Sequence, residues 1–127
     1  MNRTEFKAQI QVLRTLKGKK ALDPHGLDWL EEAFETKYPD HLPLPLLFSY
    51  SFAYVWAKWE IEGAHVRLNI WFHSKLAYLS EFYNYPKELN LYPIKLNLNE
   101  AAGWDWLISR LSSLLTKQTA EQRKELK

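Results

Sequence analysis

Two alternating runs of residues, separated by a short glycine-containing break, constrain this chain most. Residues 53–61 place Val55, Ala57, Trp59 and Ile61 on one phase and Tyr54, Trp56, Lys58 and Glu60 on the other. Residues 65–72 alternate too, with Val66, Leu68, Ile70 and Phe72 against His65, Arg67, Asn69 and Trp71. A period of two marks a half-buried strand, because successive side chains leave opposite faces of a sheet. Gly63 supplies the left-handed backbone that a tight reversal favours. Two registers keep the apolar phases together. A two-residue turn at Glu62-Gly63 sets Lys58 opposite Arg67, which is repulsive. A four-residue loop over 62–65 sets Glu60 opposite Arg67 and Trp56 opposite Trp71, each pairing contributing on the order of 0.2–1 kcal/mol. The second is the expected register.

A third strand follows a turn at His73-Ser74-Lys75. A three-residue loop there puts Leu76 opposite Phe72, Tyr78 opposite Ile70 and Phe82 opposite Val66, with Glu81 facing Arg67 on the other side. The predicted outer face has an apolar end (Tyr54, Trp56, Trp71, Ala77, Leu79) and a charged end in which Arg67 lies between Glu60 and Glu81. A fourth strand is expected within Leu89–Leu98, where Pro93 restricts it to an edge or a bulge. Leu46–Ser51 suits a short additional edge strand.

Helices bracket these strands. Phe6, Ile10 and Leu13 recur at helical spacing, which predicts a helix from Thr4 to about Leu16, capped by Thr4 and stopped at Gly18. Asp23-Pro24 opens a second helix, as a cap residue followed by proline at the first helical position. Its buried stripe is Leu27, Leu30 and Phe34, and it ends before Pro39. The prolines of 41–47 force an extended connector. Trp104, Leu107, Ile108, Leu111, Leu114 and Leu115 predict a last helix from Asn97 or Asn99 to about Leu115. Residues 116–127 are highly charged and are expected to fray or be disordered. The order predicts one α+β domain over 1–127: an antiparallel meander of four or five strands with two N-terminal helices and one C-terminal helix packed mainly on one face.

Composition narrows the function classes. The chain of 127 residues has no cysteine, which excludes disulfides and thiolate chemistry and fits a reducing compartment. No apolar run approaches the ~18–20 residues needed to span a membrane. The first residues lack the apolar core of a signal peptide, so a cytoplasmic protein is the expectation. The net charge of +2 does not by itself imply a polyanion partner. Its distribution is uneven. Residues 1–20 hold six basic and one acidic residue, and residues 21–62 hold two basic and eight acidic.

Chemical motifs are weaker than their structural alternatives. His65 and His73 share a phase but lie roughly 26 Å apart at about 3.3 Å per residue. No histidine spacing matches a zinc pattern. Glu60 and Glu81 could form a carboxylate pair, yet Arg67 between them reads better as a salt-bridge ladder. No nucleophile motif is present, and Gly18-Lys19-Lys20 lacks the rest of a phosphate loop. Trp104 fits the buried stripe of the last helix, and Trp106 either covers its flank or meets the first helices.

Six Trp, seven Tyr and six Phe are many for so short a chain, and most must be core. If the helices cover one face, the aromatic end of the other stays open, and such patches mark interaction sites. The expected function is therefore a non-catalytic protein-binding module, without cofactor or metal, regulatory or neutralising in role; toxin-neutralising immunity proteins offer an analogy of layout only. Its partner-binding residues are Tyr54, Trp56, Lys58, Arg67, Trp71 and Leu79. Self-association through this face is equally compatible, with any small ligand left open. The alternative is single-stranded nucleic acid stacked on the aromatic face, with Arg3, Lys7, Arg14, Lys17, Lys19 and Lys20 on phosphates.

Overall fold

A computed structural model describes residues 2–15, 23–61, 64–83 and 93–125, by backbone alone at 50, 82–83 and 116–125. The predicted stop at Gly18, the 62–63 turn and residues 89–92 of the predicted fourth strand lie outside the described residues.

Helix α1 (Arg3–Arg14) buries Phe6, Ile10 and Leu13, as their spacing predicts. Its cap is Asn2 rather than Thr4: the Asn2 side chain accepts the Glu5 N–H at 2.8 Å. Helix α2 (Pro24–Lys37) starts as expected, with Asp23 accepting the His25 N–H at 3.0 Å. It buries Leu27, Leu30, Ala33 and Phe34. The two helices are clamped by charge. Arg14 binds Asp28 and Glu31, Lys7 reaches Glu35 at 3.5 Å, and Arg3 reaches Asp40 at 2.7 Å. Arg3 also donates to the Phe34 and Tyr38 carbonyls, at 3.1 and 2.9 Å, satisfying acceptors that the end of α2 leaves open. Part of the uneven charge along the sequence is thus paired within the fold.

Strands β1 (Leu46–Ser51), β2 (Tyr54–Ile61), β3 (Ala64–Trp71), β4 (Leu76–Tyr83) and β5 (Ile94–Asn97) form one antiparallel meander in sequence order. Helix α3 (Ala101–Glu125) follows, extending past Leu115. The fold is α+β. The inward phase of the sheet and the buried residues of all three helices share one core, in which Phe34 packs edge-on against Trp104 at 5.3 Å.

Two registers differ from expectation. Lys58 does sit opposite Arg67, and Ile61 pairs with Ala64, so the two-residue connection wins. The like-charge pairing is relieved because Lys58 binds Glu60, its neighbour on the same face, at 3.0 Å. Tyr54, not Trp56, meets Trp71, with ring centroids 4.7 Å apart.

The β3–β4 loop is longer than predicted. Ile70 pairs with Ala77 and Leu68 with Leu79, leaving four residues, 72–75, between the strands. Lys75 is left-handed (φ 57°), a conformation unfavourable for a residue with a Cβ. Its N–H donates to the Trp71 carbonyl at 2.9 Å, its carbonyl accepts the Leu98 N–H at 2.9 Å, and its ammonium lies 5.4 Å above the Trp29 ring. The extra residue reverses the phase of β4, since a one-residue slip exchanges the faces of a strand. Ala77, Leu79 and Glu81 are buried beneath the helices, while Leu76, Tyr78 and Ser80 take the outer phase.

Candidate functional site

The outer face runs from Leu46 and Phe48 on β1, through Tyr54, Trp56, Lys58 and Glu60 on β2, to His65, Arg67, Asn69 and Trp71 on β3. Leu76, Tyr78 and Ser80 continue it on β4. Every one of these side chains is half-buried or exposed, whereas the inward phase of the same strands is buried. The division follows from helix placement: α1, α2 and α3 all bury their apolar stripes in the core on the inner side.

Five of the six residues expected at a contact site are brought together here. Tyr54 stacks at a tilt on Trp71 and meets Trp56 edge-on at 6.4 Å, a continuous aromatic row. Trp71 is 37% exposed. Lys58 and Arg67 flank the row. The sixth, Leu79, is corrected: it is 1% exposed and packs in the core opposite Leu68, because the longer loop turns its phase inward. Ala77 moves with it. Glu81 is likewise absent from this face, so the Glu60–Arg67–Glu81 ladder does not form. Glu81 is 2% exposed and is held from α3 by Arg110, whose Nε donates to Oε1 and whose Nη2 donates to Oε2 at 2.8 Å.

Residues that the sequence reading passed over complete the surface. Phe52, 55% exposed, projects from the β1–β2 turn beside a hollow shared with Trp71 and His73. Leu46, 50% exposed, and Phe48 join Trp56, Lys58 and Arg67 around an open cleft of about 600 Å³. The signal for both leucine and phenylalanine was the alternation of β1 about inward Leu47. Phe52 was signalled by being a large aromatic in a turn.

The electrostatics of the face are mainly basic. Glu60 binds Lys58 and lies 3.8 Å from His65 Nδ1. The Lys58 hydrogen bond and charge hold the Glu60 carboxyl below its ordinary range. Asn69, between Trp56 and Tyr78 in register, has its side-chain oxygen sealed from solvent without a hydrogen-bond partner among the described residues. Such an atom costs about 1–3 kcal/mol.

Among the described residues no three of His, Asp and Glu gather closely enough to hold a metal ion. No helix among them is long and apolar enough to cross a membrane. Comparison with protein-family models, with curated proteins and with solved structures gave no match.

Proposed function

We propose that the chain is a non-catalytic binding module that docks a partner protein on its outer sheet face. The observation that carries this reading is the uncovered aromatic row Trp56–Tyr54–Trp71, continued by Phe48 and Phe52 and flanked by Lys58 and Arg67. Folding alone needs only the inner face to be apolar, since an antiparallel sheet tolerates water on the other. Aromatic and arginine side chains are the usual energetic anchors of protein interfaces. A regulatory or neutralising role follows from the layout by analogy.

Trp56→Ala tests the reading. It removes the ring at the centre of the row, and a central anchor is worth at least about 2 kcal/mol, or some 30-fold in affinity. Lost outer-face packing costs only about 0.2–1 kcal/mol per cross-strand pair. Partner capture or self-association, followed by light scattering, should therefore collapse while the melting temperature moves by a few degrees. A large fall in melting temperature with association unchanged would overturn the reading.

Single-stranded nucleic acid is the second reading. The inward turn of Glu81 favours it, because among the described residues Glu60 is then the acid that opposes Lys58, Arg67 and Lys95 on this side. Three of the six basic residues expected to bind phosphates count against it: Arg3, Lys7 and Arg14 are committed to acids of α2 and the adjoining connector, away from the sheet's outer face, while Lys17, Lys19 and Lys20 lie outside the described residues. This reading requires oligothymidylate binding that falls steeply with added salt.

A further inference from the structure

We propose that the partner presents an acidic segment, with a carboxylate seated between Lys58 and Arg67 and a neighbouring apolar side chain resting on Leu46, Phe48 and Trp56. The inference rests on the docking role proposed above and names the chemistry of what docks. Lys58 and Arg67 are directly opposite each other on adjacent strands, which brings two cations to one place on the outer face. The chain places this pairing in the wall of a cleft whose lining is three apolar side chains and two cations. Its volume of about 600 Å³ lies within the roughly 300–1,000 Å³ of ordinary ligand sites. Glu60, the acid alongside, is bound to Lys58 and shared with His65. A carboxylate entering the cleft would add an attraction to each of the two cations.

A carboxylate there would meet the positive charges of Arg67 and Lys58 together. A phosphodiester is also an anion, but two features favour a peptide. The rings of Tyr54, Trp56 and Trp71 lean on one another at 49° and 86° rather than standing apart as platforms for successive bases. A nucleic acid strand also draws its affinity from a run of phosphate contacts, whereas the cleft offers a single pair of cations.

The test is selection of a displayed random-peptide library on the full chain, followed by titration of winning peptides against Lys58→Glu/Arg67→Glu, Lys58→Arg and Trp56→Ala. Circular dichroism should show each variant folded. The expected winners pair Asp or Glu with an aromatic or large aliphatic residue. The double charge reversal should weaken them at least tenfold, equivalent to about 1.4 kcal/mol, while Lys58→Arg retains them. Winners that need Trp56 but carry no acid would overturn this inference and leave the docking reading standing. Winners indifferent to Trp56, or none, would overturn both. Binding of oligothymidylate that Trp56→Ala abolishes and that displaces the peptides would replace the acidic segment with a nucleic acid.

Discussion

Arg110→Ala is expected to cost about 3 kcal/mol of stability without touching the outer face. Glu81 is 2% exposed, and both its carboxylate oxygens accept from the Arg110 guanidinium, whose side chain is 33% exposed. Removing one partner of a buried pair costs about 3–5 kcal/mol, because the remaining charge stays in a low-dielectric site. The partial exposure of Arg110 puts this case at the lower end. For a domain of 127 residues, each kcal/mol shifts the melting temperature by about 3–5 °C, so a fall of roughly 10 °C is expected. Urea unfolding followed by circular dichroism measures the loss directly. The companion variant Glu81→Leu/Arg110→Leu leaves neither charge stranded and should recover to within about 1 kcal/mol of the parent. A loss below about 0.5 kcal/mol for Arg110→Ala is the behaviour of a surface pair. It would refute the inward phase of β4, because Glu81 would then be solvated.

Gly103→Ala should destabilise despite the better helix propensity of alanine: a Cβ there would lie 2.1 Å from the Asn97 carbonyl oxygen. Overpacking of this kind costs about 1–3 kcal/mol in urea unfolding. Tyr38→Phe removes the hydroxyl that donates to the Pro43 carbonyl and accepts from Trp59 Nε1 at 3.1 Å, for a loss of about 1–2 kcal/mol. Burial pushes the Tyr38 phenol up to about 12 from the ordinary 10. The folded chain therefore keeps a proton that the unfolded chain loses between these values. Stability from this group is complete below pH 10 and is lost as pH rises towards 12; the Tyr38→Phe variant should lack that slope. Gln9→Ala strips the amide that accepts the Leu47 N–H at 2.9 Å and donates to the Pro45 carbonyl at 3.1 Å on edge strand β1. Light scattering should show concentration-dependent association, because unpaired edge groups recruit other strands.

The alternation of β2 and β3 was legible because one phase of each is almost wholly apolar. The Asp23-Pro24 opening was legible because cap chemistry is local. The misreadings come from long-range partners and from ambiguous phase. In Leu76-Ala-Tyr-Leu-Ser-Glu-Phe-Tyr83 both phases carry large apolar residues, so hydrophobicity does not choose between them. Glu81 then tips a sequence reader towards the wrong phase, since its burial depends on Arg110, 29 positions further along and two elements away. Lys58 opposite Arg67 was rejected on a pairwise penalty that Glu60, on the same strand, offsets. Tyr54, Trp56 and Trp71 share the outer face as expected because they lie on the two strands whose phase is unambiguous. Leu79 lies on the strand whose phase was not.

The left-handed Lys75 closes a hairpin whose register decides which face of β4 is buried. A slip that paired Leu76 with Phe72 would turn β4 inside out, presenting Leu79 and Glu81 to water and pushing Tyr78 and Ser80 into the hydrophobic interior. Such a slip costs more than the exchange of an exposed loop side chain such as His73 or Ser74, because it moves every residue of the strand at once.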